Sequence, residues 1–218
     1  MNLSPTKILP ANYRLHRRLS ILDRKSLILL NVWGIGIFLI ASIFFPLLAA
    51  WLTAEGEPAG ASLETTGWVG IASFLGLLLA VMLVMIILHE GLHGLFFWLF
   101  TREKPKFAFK GFYAYAAMPD WYFPKKDYLI TALAPLVGIT LVSVIGLALL
   151  PGWADAALVW LLILNTSGAV GDLWIASALL RAPASVLGRD AGDCSELFIP
   201  EDLLTTENKE YTDSRGDS

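Results

Sequence analysis

Four long apolar runs, at residues 27–52, 68–100, 128–150 and 156–180, confine the sixteen lysines and arginines of this chain to three segments. Each run supplies the roughly 20 helical residues that a bilayer core requires. At 56% hydrophobic and only 16% charged, the chain falls well short of the roughly 25% charged residues of soluble domains. The expected fold class is an all-α integral membrane protein with four transmembrane helices.

The distribution of positive charge gives the orientation. Six Lys/Arg lie in residues 1–25, six in 102–126 and four in 181–218, with none in the connections 53–67 and 151–155. By the positive-inside rule the N- and C-termini and the middle loop are cytoplasmic. The expected organisation is a cytoplasmic basic segment (1–26), an anchor helix (27–52), a three-helix membrane core (68–180) and a cytoplasmic tail (181–218), disordered from about residue 205. The basic segment reads as an interfacial or disordered lead-in, with Arg14, Arg17 and Arg18 beside Leu15, Leu19 and Ile21 hinting at a short amphipathic helix. The first run begins too late and is too long for a cleaved signal, whose core spans about 7–15 residues. The basic residues read as topology signals and lipid-headgroup contacts rather than a nucleic-acid surface. The lone Cys194 provides neither a disulfide framework nor a cysteine metal site. These features describe a multi-pass protein of the cell membrane; nothing in them fixes an oligomeric state.

Within the second run lies His89-Glu90-Gly91-Leu92-His93, in a stretch with no other charge from Thr65 to Thr101. HExxH on a helix sets two imidazoles one turn apart on one face, where both can ligate Zn²⁺, with the glutamate placed as general base. Ionisable groups are costly inside a membrane and are usually functional there. The alternative is a pair of core histidines beside a stray acid. Gly91 and Gly94 are candidate points of close helix approach. The run of 33 residues would extend about 50 Å as a helix, so it must tilt, project or bend.

A catalytic zinc site needs a third protein ligand and an open position. Asp172 is the one acid in the remaining runs. It lies nine residues before Arg181, just as His93 lies nine before Arg102. Both spans run outside to inside, so the two residues should share a depth of about 13 Å below the cytoplasmic end. An Asp serving only helix packing is the alternative. Asn165, Gly168 and Asp172 follow i, i+3, i+7 spacing and share a helix face. Gly168 leaves room beside a metal. Asn165 fits either an oxyanion donor or an interhelical hydrogen bond.

In the middle loop, aromatics at Phe107, Phe109, Tyr113 and Tyr115 recur with a period of two, the mark of a strand or hairpin, and Pro119 and Pro124 are expected to stop it. An interfacial aromatic belt and an edge strand that pairs with an extended substrate peptide both fit.

The order of a helix carrying HExxH, one intervening span and a span carrying Asp resembles the core of the site-2-protease clan of intramembrane zinc metalloproteases. His89–His93, the aromatic loop, Ala134-Pro135 and the Asn165 to Gly171-Asp172 run more closely resemble a small membrane family described as putative zincin peptidases, over roughly residues 68–193. Unlike the proline-containing Leu-Asp-Gly setting usual in site-2 proteases, Val170-Gly171-Asp172-Leu173 has no proline. The resemblance implies zinc held by His89, His93 and Asp172, with Glu90 as catalytic base. The expected function is a zinc metalloendopeptidase that cuts membrane or membrane-associated protein and peptide substrates near the cytoplasmic face, Glu90 activating the water, with Asn165 assisting. A non-enzymatic metal-binding or adaptor protein of the same fold is the alternative.

Overall fold

A computed structural model describes residues 4–53, 67–111, 113–150 and 152–204. The outer connection and the tail beyond residue 204 lie outside these residues, so the expected disorder from about 205 is not addressed.

Three helices are long and apolar enough to cross a membrane: α1 (Arg24–Thr53), α2 (Trp68–Thr101) and α3 (Lys125–Leu149). In the most apolar windows of α1 and α2 only 6% of residues are buried by protein, against 33% in α3. Surfaces such as Leu79, Leu83 and Ile87 are therefore left uncovered by protein, and α3 is the central helix. The second apolar run forms one continuous helix.

The fourth run is broken. After a 3-10 turn at Gly152–Ala154, α4 (Asp155–Gly168) and α5 (Val170–Arg181) meet at Ala169 with a bend of 47°, and together they have the length and composition of a broken span or a re-entrant loop. Local chemistry explains the break. Ser167 Oγ donates back to the carbonyl of Ile163 at 2.8 Å, a bond that bends helices, and glycines flank the junction at 168 and 171. The break also places Asp172 in the first turn of α5, where the helix dipole favours a carboxylate.

The expectation of an all-α chain is corrected here to a mostly helical fold with a small sheet. Strands β1 (Tyr13–Ser20), β2 (Lys106–Phe109), β3 (Ala114–Pro124), β4 (Leu187–Asp190) and β5 (Cys194–Pro200) form one antiparallel sheet in the order β1-β5-β4-β3-β2. The basic head is thus a strand, not an interfacial helix or a disordered lead-in. Tyr13 and Leu19 are buried, Leu15 is exposed, and a bulge lies between Leu15 and Arg17. The tail contributes β4 and β5. The middle loop is a hairpin, as its period predicts, but β3 runs through Pro119 and ends only at Pro124.

The sheet gathers all three basic segments at one end of the helices. Leu19, Met118, Phe123, Val186, Leu197 and Ile199 pack there against Phe97, Tyr128 and Leu179 in one buried cluster. Gly94 admits this docking, since a Cβ on it would stand 2.3 Å from the ring of Phe107. The close approach expected near the motif is therefore between helix and strand. Gly91 has open space beside it.

Candidate metal centre

The HExxH turn lies in the last third of α2, facing α3 and the α4–α5 break. His89 and His93 stand 5.0 Å apart between ring centroids. Their Nδ1 atoms have separate acceptors: Asn165 Oδ1 at 3.1 Å from His89, and the Thr131 carbonyl at 2.9 Å from His93. A carbonyl only accepts, so His93 carries its proton on Nδ1. Asn165 donates its Nδ2 to the Pro135 carbonyl at 3.3 Å. That bond leaves Oδ1 facing His89, which must donate in turn. Each ring is thereby oriented through its Nδ1, which leaves its Nε2 for the interior of the site.

Both Nε2 atoms face Asp172. His89 Nε2 is 3.0 Å from Asp172 Oδ2, and His93 Nε2 is 3.4 Å from Oδ1. The three ligand atoms lie within 4.8 Å of one another, and Asp172 Oδ2 is buried with the His89 imidazole as its neighbour. At this spacing the buried carboxylate is matched either by protons on the imidazoles, as His–Asp ion pairs, or by a metal ion that takes the same ring and carboxylate lone pairs. Two neutral imidazoles and a carboxylate, with the distal ring nitrogens fixed by an amide and a carbonyl, are the donor set and outer support of a zinc site. The residues fit the ion.

Glu90 lies beside this group. Its carboxylate accepts the backbone N–H of Ala116, on β3, at 2.7 Å. It lines a cavity of about 210 Å³ together with His89, His93, Asp172 and the sheet residues Tyr115 and Asp190. It also lines a larger, nearly all-apolar groove of about 840 Å³ between α2 and the β2–β3 hairpin. Glu90, Ala114 and Tyr115 line both, so the glutamate stands at the boundary between cavity and groove.

The candidate residues His89, Glu90, His93 and Asp172 come together, and Asn165 reaches them through His89. Asn165 is fully buried with both ends of its amide engaged. Sequence reasoning missed the contribution of the tail. Asp190, at the end of β4, accepts the Gly192 N–H at 2.9 Å and the Tyr128 hydroxyl at 3.2 Å. Burial pushes its carboxyl up to about 6, partly offset by the Gly192 N–H. Across the cavity mouth, Tyr113 donates to Asp193 at 2.6 Å, and that bond holds its phenol up at about 12. No local pattern marks Asp190, because only strand pairing brings it to the cavity.

Residues 82–187 match a family model described as "Putative zincin peptidase". The match encloses His89, Glu90, His93, Asn165 and Asp172, and it supports a zincin-like metallopeptidase. No curated protein and no solved structure matches the chain.

Proposed function

We propose that this protein is an intramembrane zinc metallopeptidase that hydrolyses peptide bonds near the cytoplasmic face of the membrane. The observation that carries the reading is the convergence of the two HExxH imidazoles and the buried Asp172 carboxylate, with ligand atoms within 4.8 Å of one another, beside Glu90. His89, His93 and Asp172 would hold the ion. Zinc, when bound, supplies Lewis acidity towards a water and the scissile carbonyl. Glu90 takes the proton of the attacking water and passes it to the leaving amine. Asn165, with its amide committed at both ends, acts by holding His89 in place, which fits the geometry better than a role as oxyanion donor.

Several features support the membrane setting. The α4–α5 pair reads as a fourth span, broken at Ala169. The order HExxH helix, intervening span, Asp172 span supports a site-2-protease-like arrangement. The head, middle loop and tail share one sheet, so all three lie on the same side, and the positive-inside rule makes that side cytoplasmic. The groove lined by Met82, Leu83, Ile86, Phe107 and Phe109 opens towards lipid and ends at Glu90. Beside it β2 is the outer strand of the sheet, so an extended segment of a membrane protein can add to that edge.

The experiment compares Glu90→Gln with His89→Ala in cells lacking the wild-type chain, at matched protein levels. Glu90→Gln should retain zinc and lose turnover by at least about 10²–10⁴-fold. Full rescue of the cellular phenotype by Glu90→Gln, with loss in His89→Ala, would instead establish a non-enzymatic metal-binding protein.

A further inference from the structure

Helix α3 contains a proline in its interior, Pro135. Proline is the residue least tolerated inside a helix, because it lacks an N–H and leaves the carbonyl four residues earlier without its partner. Here that carbonyl is Thr131. Thr131 is 1% exposed, so an unmatched acceptor there would carry a desolvation penalty. The group that meets it is His93 Nδ1–H, at 2.9 Å. The carbonyl of Pro135 itself accepts Asn165 Nδ2–H at 3.3 Å, and Asn165 Oδ1 accepts His89 Nδ1–H at 3.1 Å. The two chains run from one proline to the two imidazoles of HExxH.

We propose that Pro135 is the positioning residue of the metal centre, freeing the Thr131 carbonyl that orients His93 and supplying the carbonyl that, through Asn165, orients His89. The inference rests on reading His89, His93 and Asp172 as a zinc site. A helix without the proline would bring a peptide N–H of residue 135 to the Thr131 carbonyl, in competition with His93. The ring would then lose part of its hold on Nδ1, and with it the bias that leaves Nε2 for the interior of the site. The other proline inside a described helix, Pro46 of α1, has no hydrogen-bonded link to the site and serves as the control.

The test measures zinc affinity of the purified full-length protein by chelator competition. Wild type is compared with Pro135→Ala, Pro46→Ala, His89→Ala and a chain carrying lactic acid at position 135. Lactic acid has the side chain of alanine but an ester oxygen where alanine has its N–H. Pro135→Ala should bind zinc at least about tenfold more weakly, within the 10–100-fold range of lost outer-sphere partners. The lactic-acid chain should recover most of that loss, and Pro46→Ala should bind like wild type. Wild-type affinity in Pro135→Ala, or equal weakness in the alanine and lactic-acid chains, would overturn the proposal. Should Pro135→Ala fail to fold, the lactic-acid chain decides alone, by binding like wild type or not. A wild type that binds zinc no better than His89→Ala would instead remove the metal site itself.

Discussion

Glu90 accepts a hydrogen bond from the Ala116 N–H at 2.7 Å, so the candidate base on α2 is aligned by β3 of the sheet. Ala116 pairs with Phe107, and the ring of Phe107 rests on Gly94, one residue past the motif. The position of the base therefore depends on how closely the hairpin sits against its own helix.

Gly94→Ala tests that dependence. The added Cβ would stand 2.3 Å from Phe107 Cζ and 3.2 Å from Pro105 Cγ, so the Phe107 ring must move, and β2 shifts with it if the ring cannot turn aside. Such overpacking costs about 1–3 kcal/mol. A displacement near 1 Å at the base can reduce turnover by about 10²-fold. Zinc content should be unchanged, because the hydrogen bonds that orient His89 and His93 come from Asn165 and the Thr131 carbonyl, outside the hairpin. Cleavage assays alongside metal analysis check this. Wild-type turnover in a stably folded Gly94→Ala protein would show that the hairpin does not set the base.

Metal stoichiometry tests the ligand set directly. The wild-type protein should retain about one zinc per chain, through three protein ligands. Asp172→Ala and His89→Ala should each lower occupancy, since two ligands hold the ion weakly. Full zinc content in Asp172→Ala would exclude the carboxylate as a ligand, despite its 3.0 Å approach to His89 Nε2.

The role of Asn165 is separable by the same measurement. A residue that orients His89 should, on replacement by Ala, weaken zinc binding by about 10–100-fold. An oxyanion donor would instead leave the metal in place and reduce turnover alone, by about 10²–10³-fold. The bonds at 3.1 and 3.3 Å that occupy both ends of the amide favour the first outcome. Zinc dissociation constants set beside single-turnover rates distinguish the two.

The residues that converge at the candidate metal centre were legible in sequence because most of their determinants are local. HExxH fixes His89, Glu90 and His93 on one helix face, and Asp172 is the one acid in the later spans at a matching depth. The helices were legible too, since apolar length needs no partner. The sheet was not, apart from the hairpin, whose period of two survives in Phe107, Phe109, Tyr113 and Tyr115. β1 and β5 pair across most of the chain, with Tyr13 opposite Pro200, and such long-range pairing leaves no local trace in the basic head. The α4–α5 break was hidden by a hydrophobic run that continues through it. Asn165 and Asp172 both reach His89 even though the straight helix assumed for their shared face ends at Gly168.

Asp190 gives a pH dependence of stability with a definite sign. Its carboxyl is pushed up to about 6 in the folded chain, against about 3.9 in an unfolded one. Between these values the folded state binds more protons than the unfolded state, so stability falls as pH rises through the window. The penalty is absent below about pH 4 and complete above about pH 6. Asp190→Asn removes the charge while keeping an acceptor for Tyr128 or Gly192. In the metal-free protein this variant should therefore melt at a higher temperature than wild type at pH 7.5, and its advantage should fade as the pH approaches 4. Thermal unfolding in detergent at several pH values provides the comparison. A variant less stable than wild type at pH 7.5 would mean that the ionised carboxylate is compensated by a partner stronger than the Tyr128 hydroxyl and the Gly192 N–H.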